Sequence, residues 1–240
     1  MNSIETKNLT KKFKDKIAVN GIDLKIKQGE LFALLGVNGA GKTTTIKMLS
    51  GLILPTSGDI FIEDMNLKKD VFKIKEILNV SPQETAIAPN LTVKENLEFM
   101  AGVYQIKNKD NKIDELIKQF KLDEVLNKKA KTLSGGWQRK VSIAISLIND
   151  PRILFLDEPT LGLDVIARKE LWKIIDSLKG KITIILTTHY MEEAESLSDR
   201  IGIMSNGKLI DIGTSKELIK KAKTKNFEDA FVTLATGGEL

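Results

Sequence analysis

The 240-residue sequence has no cysteine, so disulfides play no part in its stability. Two tryptophans and two tyrosines leave little material for stacking on bases, which argues against a nucleic-acid binder. No apolar run approaches the ~18–20 residues that a membrane span needs, and the first residues lack the apolar stretch of a signal peptide. Internal repeats and low-complexity stretches are missing as well. What remains is an ordinary globular composition, 42% hydrophobic and 29% charged, long enough for a substantial core. It fits one large domain or a domain with a subdomain. The net charge of +5 is concentrated in two lysine-dense stretches, Lys11, Lys12, Lys14 and Lys16, then Lys220, Lys221, Lys223 and Lys225. Such a surface can favour anionic headgroups or nucleic acid. A solvated face explains it as well.

Against that plain background, residues 36–43 stand out. Gly36, Val37, Asn38, Gly39, Ala40, Gly41, Lys42 and Thr43 match the phosphate-binding loop pattern G-x-x-x-x-G-K-S/T in full. An apolar run from Leu31 to Leu35 leads in, and a helical pattern from Thr43 to Leu49 leads out. The chemistry needs that context: a strand fixes the loop, and a helix turns its amino end toward the phosphates. Glycines let backbone N–H groups converge on an anion with no Cβ in the way. Lys42 is placed to reach the β- and γ-phosphates, and the Thr43 hydroxyl to ligate Mg²⁺. The loop predicts binding of a nucleoside triphosphate, and with it a cytoplasmic location.

Three apolar runs, residues 31–35, 153–156 and 182–186, read as strands buried on both faces, which suits a parallel sheet covered by helices. Alternating segments (Ile22, Leu24 and Ile26; Ile60 and Ile62) suit antiparallel strands with one face on the core. Asn206 and Gly207 between two apolar runs predict a two-residue hairpin. Leu171, Ile174, Ile175 and Leu178 have helical spacing, with Gly180 where a cap belongs. From about residue 90 to 148 the patterns are helical, with Val93, Leu97, Met100 and Tyr104 on one face and Ile113, Leu116, Ile117 and Phe120 on another. The fold class predicted is α/β: a phosphate-loop core with a mainly parallel sheet, an N-terminal antiparallel β subdomain, and a helical subdomain inserted at about 84–150. One nucleotide-binding domain over residues 1–222 is expected to be followed by a short helical tail, 223–240, in which Phe227, Phe231 and Leu234 pack on their own domain.

A second half of a nucleotide site follows. The run after Arg152 ends in Asp157 and Glu158, then Pro159. The first carboxylate at such a strand end is placed to hold Mg²⁺ through water, and its neighbour to accept a proton from an attacking water. Ser134, Gly135 and Gly136 open a probable helix; they suit a cap, and equally an anion site at a positive helix end. Residues 36–43 already cradle one triphosphate, so a second anion site points to the nucleotide of another copy. The single histidine, His189, ends a core strand on the edge where Gly36 and Asp157 emerge, which directs it to the γ-phosphate or its water.

Together these strings resemble the ATPase subunit of ABC transporters over roughly residues 3–220. The order matches: Walker A at 36–43, the Q-loop glutamine Gln83, the signature Leu133 to Gly136, Walker B ending at Asp157 with Glu158, the D-loop Leu163 and Asp164, and the switch His189. The resemblance implies that Phe13 stacks on adenine, that Gly39, Gly41, Lys42, Thr43 and Thr44 hold phosphates, and that Thr43 and Gln83 contact Mg²⁺ with Asp157 in support. It implies Glu158 as general base, His189 on the γ-phosphate, and Ser134, Gly135 and Gly136 acting on the opposing subunit's ATP. Asp164 would carry communication across that dimer, and Gln83 would couple the helical subdomain to a membrane partner. The partners implied are a second ATPase subunit, identical or paralogous, and separate membrane-spanning permease chains, with the protein on the cytoplasmic face of the membrane and no nucleic acid involved.

One departure stands in the signature, where Trp137 precedes Gln138 and glutamine usually follows the second glycine directly. With residues 188–195 and 227–231, that variant is similar to bacterial drug and antibiotic exporters whose membrane halves are separate chains. Two rivals are weaker. Asn111, Lys112 and Asp114 match the guanine-reading pattern N-K-x-D, but in a polar run rather than after a buried strand. A soluble ABC-type ATPase acting on ribosomes or nucleic acid would be expected to carry two ATPase domains or a long coiled-coil insertion. Lys42→Ala should weaken nucleotide binding itself; an unaltered affinity for ATP in a titration contradicts the loop assignment.

Overall fold

A strand with helices on both faces has no polar side to show, and the three continuous apolar runs become the centre of one sheet for that reason. The computed structural model describes residues 1–237. Strands β1 (Asn2–Phe13) and β2 (Lys16–Lys27) form a long antiparallel pair, followed by β3 (Leu31–Leu35) and helix α1 (Lys42–Leu49). Then come β4 (Ser57–Ile62), β5 (Met65–Asn66), α2 (Val71–Ile77) and β6 (Leu78–Ser81). Helices α3 (Val93–Val103), α4 (Lys109–Phe120) and α5 (Gly135–Ser146) precede β7 (Ile153–Asp157), α6 (Val165–Leu178), β8 (Thr183–Thr188) and α7 (Met191–Leu197). The hairpin β9 (Arg200–Ser205) and β10 (Lys208–Gly213) leads to α8 (Ser215–Ala222) and α9 (Phe227–Thr236).

The larger sheet has the order β10-β9-β3-β8-β7-β6, parallel except for the β9–β10 hairpin; the smaller is antiparallel, β2-β1-β4-β5. Side-chain alternation along β3 divides the interior. Phe32 and Leu34 face the smaller sheet and α1, packing with Ile4, Leu24, Ile60 and Ile46. Leu154 and Leu156 of β7, with Ile184 and Leu186 of β8, face the opposite way onto α3, α4, α5 and α6. Ala33 and Leu35 join a third cluster with Ile201, Ile203, Leu218 and Phe227. The main sheet is covered on both faces.

Most local expectations survive. Along β2, Ile22, Leu24 and Ile26 are buried while Asp23 and Lys25 are exposed, the period of a half-buried strand. The hairpin turn has φ 49° at Asn206 and 75° at Gly207, the pair of positive angles its two-residue geometry requires. Helix α3 begins in a capping box: the Thr92 hydroxyl accepts from the Glu95 N–H at 3.1 Å while Glu95 accepts from the Thr92 N–H at 2.7 Å. Those bonds, the backbone one first, hold the Glu95 carboxyl below its ordinary pKa. Residues 111–114 lie inside α4, with Ile113 in the core and the Lys112 ammonium on Asp150, so the guanine-reading pattern is helix and core.

Strand β6 has no counterpart in the sequence patterns. It is four residues long with only Leu78 and Ser81 buried, and it exists because it adds to the exposed edge of β7 in register, Leu78 opposite Ile153. Helix α9 lays Phe227 and Phe231 onto β9 and α7, where Phe227 is 2% exposed. Phe227→Ala should therefore lower stability by about 3–5 kcal/mol, the usual range for truncating a buried aromatic. Chemical denaturation measures it, and an unchanged midpoint would show that the helix is not part of the cooperative core.

Candidate functional site

Register decides where the chemistry gathers. Strand β3 pairs Leu35 with Thr188 of β8, and β7 pairs Asp157 with Thr187, so three parallel strands end side by side. The next residues, Gly36, Glu158 and His189, leave the sheet at one edge. Ligands collect at such carboxyl ends.

The loop from Gly36 to Gly41 is held by close backbone approach. The Gly36 N–H donates to the Thr188 carbonyl at 3.3 Å. Gly41 has φ 105°, and a Cβ there would stand 2.4 Å from the Ala18 carbonyl oxygen; only glycine fits. Gly41 is also the N-cap of α1 and has no side chain to cap it, and the first turn carries no acid. The amino end of α1 therefore keeps its unpaired N–H donors and its positive end for an anion.

Lys42 is buried and its ammonium donates to the carbonyls of Gly36 at 2.8 Å and Val37 at 3.3 Å, with the Glu158 carboxylate 3.2 Å away. Glu158 in turn meets His189 Nδ1 at 2.5 Å through its other oxygen. Its backbone stands at φ 49°, unusual for a glutamate and held by its N–H, which donates to the Thr187 carbonyl at 3.1 Å and the Thr187 hydroxyl oxygen at 3.0 Å. Asp157 Oδ1 accepts from Thr43 at 3.0 Å and from Thr187 at 2.6 Å. The buried charges are thus paired or hydrogen-bonded, as burial demands.

A cleft of about 540 Å³ opens over this cluster. Asn38, Gly39, Lys42, Thr43 and Thr44 line it, with Gln83, Glu158 and His189 beside them and Phe13, Lys16 and Ala18 among the other lining residues. Phe13 is 48% exposed, and the Lys11 ammonium stands 5.0 Å from its ring centroid. Val37 is exposed and Ala40 buried, so within the loop Val37 points to solvent and Ala40 to the core.

The expected signature residues and Asp164 do not line this cleft. Ser134, Gly135 and Gly136 lie at the amino end of α5; Ser134 is exposed and its side chain makes no capping bond, which sets aside the simple cap as its role. A Cβ on Gly136 would stand 3.1 Å from that of Ala167, so this end of α5 rests on α6. Asp164 caps α6 by accepting from the Ile166 and Ala167 N–H groups at 2.9 and 3.0 Å. Trp137 packs against the core with the Lys140 ammonium 4.4 Å from its ring centroid, and Gln138 donates to the Ala130 carbonyl at 3.1 Å.

Two residues that the sequence patterns did not single out complete the geometry. Thr187 fixes both acids, as described. Arg139, 4% exposed, donates to the carbonyls of Pro82 at 2.6 Å and Gln83 at 2.5 Å and so anchors the loop carrying Gln83 to α5. Burial lowers its pKa, opposed by the Asp157 and Glu193 carboxylates. A guanidinium just ahead of the apolar stripe Val141, Ala144, Ile145 was the available signal.

Comparison with known proteins places the chain in a family and matches its fold. The family model described as ABC transporter matches residues 19–161. The probable multidrug ABC transporter ATP-binding protein YbhF of Escherichia coli is 42% identical over 234 residues, 96% of this chain and 40% of that protein. The chain thus spans well under half the length of that relative. A solved ATP-binding subunit of an ABC transporter superposes with TM-score 0.86 at 28% identity, covering 96% of this chain and 98% of the other. A dimeric post-hydrolysis ATP-binding cassette bound to ADP and Pi superposes with TM-score 0.79 at 27% identity, covering 88% and 98%.

Gly41→Ala, which drives a Cβ into the Ala18 carbonyl, should reduce nucleotide affinity at least about tenfold by distorting the loop. Calorimetric titration with ATP measures it, and wild-type affinity in that variant would contradict the close packing described.

Proposed function

The chain belongs to the ABC transporter family, and on that premise we propose that it is the ATP-hydrolysing cassette of an exporter for drugs, antibiotics or other small or amphiphilic molecules. The observation that carries the proposal is Glu158, held between Lys42 and His189 at the end of β7. The multidrug designation of the E. coli relative supports the cargo class. ATP is the nucleotide; residues 1–222 form the ATPase domain, with the helical segment inserted at about 84–150 and the tail docked on it.

The proposed sequence of events uses the contacts already described. Phe13 stacks on adenine, and residues 36–44 receive the phosphates. The γ-phosphate replaces Glu158 as counter-charge to Lys42. Glu158 is then free to take a proton from the attacking water, while His189 holds its orientation and steadies the γ-phosphate. Asp157, pinned by Thr43 and Thr187, cannot swing into that role.

Mg²⁺ fits this donor set. The Thr43 hydroxyl, the Gln83 side chain at the cleft wall and the Asp157 carboxylate, acting through water, offer the oxygen ligands that hard cation prefers. No group of three or more His, Cys, Asp or Glu able to hold a metal exists among the described residues. When bound, it neutralises charge on the β- and γ-phosphate oxygens.

Ser134, Gly135 and Gly136 lie outside the cleft of their own chain, and we assign them to the ATP of a second copy or a paralogue. Asp164 serves communication across that dimer, and Gln83, anchored through Arg139, couples the helices to separate permease chains. No helix among the described residues is long and apolar enough to cross a membrane. In this proposal the permease chains hold the protein at the cytoplasmic face.

Glu158→Gln should bind ATP within about threefold of wild type and lose turnover by roughly 10²–10⁴-fold, the usual worth of a general base. It should accumulate as an ATP-bound dimer in light scattering. A monomeric variant with full activity would refute the scheme.

A further inference from the structure

The catalytic pair Glu158 and His189 sits on two different segments, and something must fix their separation. Glu158 lies in a tight turn closed by the Leu161 N–H on its carbonyl at 3.2 Å. His189 lies two residues ahead of α7. Between these segments, wholly buried in the first turn of α7, is Glu193. Its Oε1 accepts from the Thr160 hydroxyl of the Glu158 turn at 2.8 Å and from the Trp172 indole N–H of α6 at 2.9 Å. Its Oε2 is buried with no partner.

We propose that Glu193 is a positioning residue that sets the spacing of Glu158 and His189 and ties that spacing to helix α6. A buried acceptor with two donors from separate segments is costly to disturb, since losing it strands both a hydroxyl and an indole N–H. Burial pushes the Glu193 carboxyl above its ordinary pKa, against the Thr160 hydroxyl and the Trp172 indole N–H that donate to it. A second contact runs alongside. Arg168, one turn before Trp172 on α6, stands 5.0 Å from the Tyr190 ring centroid, and that ring lies 4.1 Å from His189. Helix α6 starts directly after Asp164, so a shift at that turn reaches both catalytic residues through the same helix face.

This deepens, and rests on, the ATPase reading above. Steady-state ATPase kinetics of the full chain test it. Glu193→Leu fills the space without an acceptor and should lower kcat at least tenfold with KM for ATP within threefold of wild type. Glu193→Gln, whose amide oxygen still accepts, should stay within threefold of wild-type kcat. Wild-type kcat in the leucine variant overturns the proposal, as does a glutamine variant equally impaired. Equal damage to kcat and KM overturns it too. If the leucine variant does not fold, Thr160→Val carries the test: kcat at least threefold lower at unchanged KM supports the role, and unchanged kcat overturns it. A wild-type chain that binds ATP but never turns it over would instead overturn the functional reading, and this inference with it.

Discussion

The in-register ends of β3, β8 and β7 are the constraint on which the rest depends. Leu35, Thr188 and Asp157 finish their strands side by side, and the three connections that follow deliver a lysine, a histidine and two carboxylates to one place. None of these groups is stable alone at such burial. Lys42 is satisfied by two loop carbonyls and Glu158; Glu158 by Lys42 and His189; Asp157 by two threonine hydroxyls. The apolar packing on both faces of the sheet makes that register rigid, and the rigidity keeps opposed charges from collapsing into other pairings. In the proposed scheme a phosphate enters by exchanging partners with Glu158 rather than by opening a new hole.

The same packing bears on the proposal that the site is shared between two copies. The signature residues project from α5, whose body is packed in the core beneath the sheet, and the first turn of α6 supports them through the Gly136–Ala167 approach. Ser134 is left exposed with its hydroxyl uncommitted to capping, away from the cleft of its own chain. A proposed anion site that lies outside the chain's own cleft is accounted for when two copies face each other head to tail, because each then completes the other's.

Much of this was legible in the residues because it is local. The phosphate loop is written in three closely spaced glycines and a lysine, the acidic pair closes its own strand, and Asn206 with Gly207 encodes a turn by backbone angle alone. What escaped is what depends on tertiary partners. Strand β6 has no periodicity of its own and is made a strand by the edge it meets. Arg139, Thr187 and Glu193 look ordinary in sequence, and their importance lies in groups 21 to 57 positions away that they bond. Asp164 shows the reverse: chosen for communication, its carboxylate is engaged in capping α6, so any signal through it must travel by moving that helix.

The chain's lack of cysteine makes the central claim directly measurable. Asn38→Cys places a thiol at the mouth of the phosphate cradle, and Ser134→Cys places one on the signature. In a chain carrying both, with Glu158→Gln to retain ATP, mild oxidation should give a cross-linked dimer with ATP and little without it. Bridging within single chains, or a dimer yield indifferent to nucleotide, would contradict a site completed by a second copy.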